Sequence, residues 1–117
     1  VKDARSRIAA RAVDEEGQRL LEKLPPGCRA IALDEHGTAR TSVKFASWLQ
    51  ERQDEGLGDL RFVVGGAWGL SDAVKERCQG AIRLSSMTLT HEMARMVLLE
   101  QLYRACSIQR GLPYHHA

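Results

Sequence analysis

A chain of 117 residues, 44% hydrophobic and 27% charged, is long enough for one packed domain and too short for two, and it holds no apolar run of membrane-spanning length. Seventeen Lys and Arg against fifteen Asp and Glu leave a net charge of +2, too little for a bulk field that would hold nucleic acid unaided. Cys28, Cys78 and Cys106 are odd in number and far apart, which excludes a fully paired disulfide framework and a CxxC motif and implies a reduced, cytosolic protein.

The first predicted element is an amphipathic helix over residues 3–24, with Ile8, Ala12, Val13, Leu20, Leu21 and Leu24 at three- and four-residue spacing. Asp3 is its expected N-cap, Gly17 weakens its middle, and Pro25-Pro26-Gly27 stops it. A short strand over 29–33 follows, ending in the polar turn cluster Asp34-Glu35-His36-Gly37. Thr41 or Ser42 then caps a helix to about residue 55, with Phe45, Ala46, Trp48 and Leu49 on its apolar side and Gly56 and Gly58 closing it. The run 60–64, LRFVV, has the β-branched and aromatic bias of a central strand buried on both faces.

That strand runs into Gly65 and Gly66, with Gly69 three residues on, and the turn is read two ways: as a tight strand-to-helix turn or as bare backbone against which a ligand lies. Ser71 or Asp72 starts a short helix to about Cys78 that carries Val74 inward, and a third strand spans 81–84. Thr90 caps a long last helix to about Gln109, with Glu92 in its first turn. Met93, Met96, Val97, Leu98, Leu99, Leu102, Tyr103, Ala105 and Cys106 give this helix two apolar faces, and the second implies a homodimer. Glu100 and Arg104 make an exposed pair one turn apart, and Gly111 and Pro113 release the tail from Tyr114 onward.

Helices and strands that alternate with short connections predict a single α/β domain, with a parallel sheet, helices on both faces and ligands at the carboxyl ends of the strands. A Walker phosphate loop is excluded because Leu70 and Ser71 stand where its lysine and hydroxyl belong, and Val64 breaks the dinucleotide fingerprint. His36, His91, His115 and His116 show no metal-ligand spacing, so no metal is expected.

The motifs LDEHG at 33–37, FVVGGAWGL at 62–70, LSSMTLTH at 84–91, EQLYRA at 100–105 and GLPYH at 111–115 together resemble the RlmH-type methyltransferases of bacteria. These belong to the SPOUT class of α/β-knot proteins and methylate N3 of a pseudouridine in large-subunit ribosomal RNA. The resemblance covers the whole chain and implies a C-terminal trefoil knot, S-adenosylmethionine as cofactor, and the ribosome or its RNA as partner. Members of that family usually begin with a further strand, helix and strand, so an N-terminally incomplete domain is expected, and they commonly carry a basic residue after the histidine of the tail, where His116 and Ala117 stand.

Carried onto this sequence, the cofactor walls are Leu33 and Asp34, then Gly65, Gly66 and Gly69, then Leu84, Ser85, Ser86, Met87, Thr88, Leu89 and Thr90. Asp34 serves equally as a loop cap, Met87 and Leu89 as core, and Ser85, Ser86 and Thr88 as capping residues. His91, Tyr114 and His115 are the candidates to assist proton removal and grip the base, with a purely structural role open for His91 at the helix start. A catalytically silent ribosome-binding module with the same knot, and a nucleotide-dependent oxidoreductase fragment, are the rival functions.

Overall fold

The structure, a computed structural model, describes residues 3–56, 59–65 and 69–115, with side chains from residue 7 onward. Seven elements follow one another: α1 (Asp3–Glu22), β1 (Arg29–Ala39), α2 (Ser42–Asp54), β2 (Leu60–Val63), α3 (Asp72–Arg77), β3 (Gly80–Arg83) and α4 (His91–Gln109). The strands form one parallel sheet in the order β2-β1-β3. Ile31, Phe45, Ala46, Leu49, Ile82, Leu98 and Ala105 bury one face of it under α2 and α4. On the other face Ala30, Val63 and Val74 pack with Leu20, Leu21 and Leu24, beneath α1 and α3. This is the expected α/β arrangement with helices on both faces. No helix among the described residues is long and apolar enough to cross a membrane.

Three expectations are corrected. The central strand of the described sheet is β1, not the 60–64 run, because β1 is the one that pairs on both sides. Its Ala30, Ile31 and Ala32 are almost wholly buried, whereas β2 is an edge strand with Arg61 exposed and bonded to Asp59 and to the Lys23 carbonyl. Asp3 is the first helical residue of α1 rather than its cap.

The polar cluster 34–37 is not a simple turn after the strand. β1 continues in extended form through it to Ala39, and both Leu33 and Thr38 stand opposite Ile82. Residues 34–37 are thus extruded from the ladder between two pairings with the same strand, and the chain returns to β3 at Thr38 and Ala39. Gly37 lies where the returning backbone crosses β3: a Cβ there would stand 2.7 Å from the backbone of Ala81 and Ile82. Only glycine permits that approach.

The helix starts follow the sequence closely. Thr41, Ser71 and Thr90 each accept the N–H three residues on, from Lys44, Val74 and Met93 respectively. At the end of α2, Gly56 takes φ +74° and its N–H reaches the Gln53 carbonyl. Gly58, also expected to close this helix, lies outside the described residues.

Gly17 has a packing reason that the sequence did not reveal. It is buried, and a Cβ on it would come within 2.5 Å of Ser71 Oγ, the oxygen that caps α3. Gly17→Ala adds helix propensity of about 1 kcal/mol but displaces a cap of similar value and pushes α1 from α3. The expected result is a net loss of about 1–2 kcal/mol in urea unfolding. A more stable variant would show that α1 and α3 part without penalty.

Candidate functional site

Parallel strands bring their carboxyl ends to one edge of the sheet, and there the extruded stretch of β1 and the segments after β2 and β3 line a cleft of about 440 Å³. That volume falls within the range of roughly 300–1,000 Å³ typical of small-molecule sites. Leu33, Val64, Leu70, Ile82, Leu84 and Leu89 give it apolar surface, while Asp34, Lys75, Ser85, Thr88 and His91 supply polar groups.

Of the residues expected to bind cofactor, the structure brings together Leu33, Asp34, Gly65, Gly69, Leu84, Ser85, Met87, Thr88 and Leu89. Gly66 lies outside the described residues. Ser86 and Thr90 do not line the cleft, and Thr90 is occupied as the cap of α4. Ser85 Oγ accepts the Met87 N–H at 3.0 Å, a local turn that leaves the Met87 side chain 78% exposed at the rim.

Both readings of the glycine turn apply at once. A Cβ on Gly65 would press at about 3 Å on the Gly69 backbone and on Leu70, and Gly69 has φ +86°, so the turn itself requires both glycines. The same two residues form part of the cleft wall.

Lys75, Glu35, His36 and Arg83 also line the cleft and were not singled out from the sequence as site residues. Lys75 Nζ stands 3.9 Å from Asp34 Oδ2, and the Asp34 side chain is only 17% exposed. The signal for Lys75 was its place one turn into the helix that follows the glycine turn, which directs it to the strand ends. Asp34 Oδ1 accepts the His36 N–H at 3.5 Å, so the loop-cap role is present though weak.

Of the three catalytic candidates, His91 lies in the cleft, and its Nε2 is 4.0 Å from Glu92 Oε1. Tyr114 and His115 do not line it. The tail beyond α4 folds back on the helix instead of projecting from it: Tyr114 meets Tyr103 edge to face at 4.7 Å, and Arg104 Cζ sits 4.9 Å over the Tyr114 ring. Arg104 Nη1 lies 2.9 Å from His115 Nδ1, and Tyr114 Oη donates to Glu100 Oε1. The Glu100–Arg104 pair is therefore half-buried and shared with the tail, not the simple exposed pair expected.

Hydrogen bonds from Arg104, helped by Tyr114 and Gln101, hold the Glu100 carboxyl below its usual range, and Glu100 in turn raises Arg104. A lowered carboxylate contributes its stabilisation at neutral pH and loses it as pH falls through the folded-state value. Acid thus loosens the tail. Cys28, Cys78 and Cys106 are all free, and burial pushes the Cys78 thiol upward, which keeps it protonated.

On the second face of α4, Met93, Met96, Leu99 and Tyr103 are all more than half exposed. The last three fall at spacings of three and four and so share one side of the helix. Leu98 and Ala105, on the opposite side, are buried in the core.

A three-layer α/β domain with a cleft at the carboxyl ends of parallel strands, partly walled by Gly65 and Gly69, has the arrangement in which open α/β sheets commonly carry small-molecule sites. The chain belongs to the SPOUT methyltransferase family: the family model described as "Predicted SPOUT methyltransferase" matches residues 1–115. Among similar proteins, one from Trichlorobacter lovleyi is 44% identical over 99% of this chain and 76% of its own length. Another from Anaeromyxobacter sp. is 54% identical over 91% of this chain and 69% of its own length. A third, from Syntrophotalea carbinolica, is 51% identical over 87% of this chain and 65% of its own. Each of the three bears the name Ribosomal RNA large subunit methyltransferase H. The chain thus spans about two thirds to three quarters of the length of these relatives.

Proposed function

We propose that this protein is an S-adenosylmethionine-dependent methyltransferase that acts on large-subunit ribosomal RNA, at N3 of a pseudouridine, as a homodimer with a C-terminal knot. The observation that carries the reading is that residues of three sequence-distant motifs, among them Leu33 and Asp34, Gly65 and Gly69, and Ser85 and His91, line one cleft. The names of the similar proteins supply the class of acceptor.

The residues present fit the cofactor. An apolar floor suits a purine, the glycine turn offers backbone without side chains at Gly65 and Gly69, and Asp34 and Lys75 offer opposite charges for the amino-acid end. Gly66, Ser86 and Thr90 belong to the same three segments and complete the proposed binding set. When bound, the donor supplies an electrophilic methyl on a sulfonium.

The protein's own part is alignment and proton management. Transfer forms a carbon–nitrogen bond as the sulfur–carbon bond breaks, so the acceptor must lie in line and N3 must give up its proton. His91 is assigned to receive that proton, since its imidazole faces the cleft and a histidine suits this role near neutral pH. Tyr114 and His115 are assigned to the acceptor base, and because they lie away from the cleft of their own chain, that role is served at the cleft of a second copy.

Calorimetric titration with S-adenosylmethionine and with NAD tests the donor. The expected result is saturable binding of the former alone, weakened about tenfold by Asp34→Ala, the equivalent of one charge-assisted contact. Binding of NAD alone, or none by a folded protein, removes the reading.

The dimer has its own check. Leu99 is 64% exposed on the outer face of α4, and a carboxylate there would be desolvated at a two-fold contact. Leu99→Glu is expected to turn a dimer into a monomer in sedimentation at micromolar concentration, leaving the monomer folded. A parent protein already monomeric under those conditions refutes the assembly.

A further inference from the structure

A second, smaller cavity of about 120 Å³ lies beside the cleft and shares Ile82, Arg83 and Leu84 with it. Its polar lining is Thr38, Arg40, Ser42, Arg83 and Gln101, and none of the described residues that line it is acidic. Arg11, Arg29, Arg52, Arg61 and Arg104 all pair with carboxylates. Arg40 and Arg83 have no such partner among the described residues. Arg40 is held with its Cζ 5.1 Å over the Trp48 ring, and its Nη1 is buried without any hydrogen-bond acceptor. Arg40 thus lines the cavity as a guanidinium steadied by an aromatic face and matched by no carboxylate, so its N–H groups on the cavity side are free to meet an acceptor that enters.

The chemistry of the occupant follows from the lining. Two guanidinium groups call for an anion with several acceptor oxygens. The Ser42 hydroxyl already donates to Gln101 Oε1 at 2.7 Å, and Gln101 Nε2 donates to Glu100, so neither competes for the arginines. With a water's share of liquid volume at about 30 Å³, the cavity has room for one tetrahedral oxyanion. We infer that it is a subsite for a single backbone phosphate of the RNA substrate, gripped between Arg40 and Arg83 next to the methyl-transfer cleft. This rests on the proposed function for the identity of the RNA, and on the cavity alone for the phosphate. It also answers the modest net charge: one preformed phosphate contact positions an RNA that a diffuse field of +2 does not hold.

The test uses the full chain labelled with ¹⁵N, following arginine side-chain Nε–H resonances during titration with inorganic phosphate at constant ionic strength. The Arg40 resonance should move saturably at millimolar phosphate and stay unmoved by acetate. Arg83→Gln, at an exposed position, should keep the fold and weaken the phosphate response about tenfold. With large ribosomal subunits as substrate and S-adenosylmethionine saturating, the same variant should raise the KM for the subunits about tenfold and lower the slope of log affinity against log salt by about 1. Arg40→Gln, followed on the Arg83 resonance, should remove the phosphate response, and because it also leaves the Trp48 face bare, Arg83→Gln remains the deciding variant. No saturable shift, an equal response to acetate, or a parental KM in Arg83→Gln overturns the subsite. Saturable phosphate binding at Arg40 in a protein that methylates no ribosomal RNA supports the oxyanion site and overturns the methyltransferase reading instead.

Discussion

Gly37→Ala is expected to lower stability by about 3–5 kcal/mol, the range of severe core overpacking and of lost backbone pairing combined. The added methyl would stand 2.7 Å from three backbone atoms of Ala81 and Ile82, none of which can rotate away as a side-chain end would. Relief requires β1 to lift from β3, which breaks the pairing of Thr38 with Ile82 and of Ala39 with Arg83. Since a domain of this size has a total stability of about 5–15 kcal/mol, little folded protein would remain. Gly56→Ala is the control: its φ of +74° strains an alanine, yet nothing lies within 4 Å, so only about 1 kcal/mol should be lost. Urea midpoints measure both. Similar losses in the two variants would mean that the crossing of β1 over β3 is looser than these distances imply. Because Asp34 and His36 sit in the same extruded segment, any Gly37→Ala protein that does fold should also bind S-adenosylmethionine poorly.

The contrast between those glycines shows where sequence reading stops. Helix starts were legible because a capping oxygen acts on an N–H three residues away, and Thr41, Ser71 and Thr90 needed no knowledge of the rest of the fold. The two faces of α4 were legible for the same reason, since spacing along one helix fixes them. Which strand sits in the middle of the sheet is a property of pairing between distant segments. The alanines of β1 look weaker than LRFVV as a core strand, but small side chains are what a strand covered by helices on both faces accommodates. Gly17 and Gly37 likewise owe their identity to Ser71 and to the backbone of β3, far away in sequence. At the site, the segments after β2 and β3 were found from topology, the stretch 34–37 was read as a loop though it lies inside β1, and Lys75 and Arg83 were missed because a charged residue in a helix or at a strand end reads as solvated until its neighbours are known.

Deletion of residues 114–117 is expected to abolish methylation of large ribosomal subunits while leaving the fold and donor binding in place. The tail is no free end, so a small effect on stability is expected. Tyr114 contributes an edge-to-face contact with Tyr103, worth about 0.5–1.5 kcal/mol, and the Glu100–Arg104 pair keeps its own hydrogen bonds without it. No described residue of the tail lines the cleft, so affinity for S-adenosylmethionine should match the parent in calorimetry. Tyr103 loses its cover and adds to the apolar face of α4, which leaves an α4-mediated dimer with as much surface as before. Turnover is different, because Tyr114 and His115 are the groups assigned to the acceptor, and an interaction made only when the acceptor is aligned appears in kcat rather than in donor affinity. Separating the two residues refines the result. Tyr114→Phe removes the hydroxyl to Glu100 but keeps the ring under Arg104, and it should retain most activity if stacking is what the tail provides. Mixing the deleted chain with a His91→Ala chain then tests where the tail acts. If it serves the cleft of a second copy, a mixed dimer pairs the intact tail of the His91→Ala chain with the intact cleft of the deleted chain, and activity returns to about a quarter of the parental level from statistical mixing. Full activity in the deleted protein alone would place the whole burden of acceptor handling on His91 and the RNA.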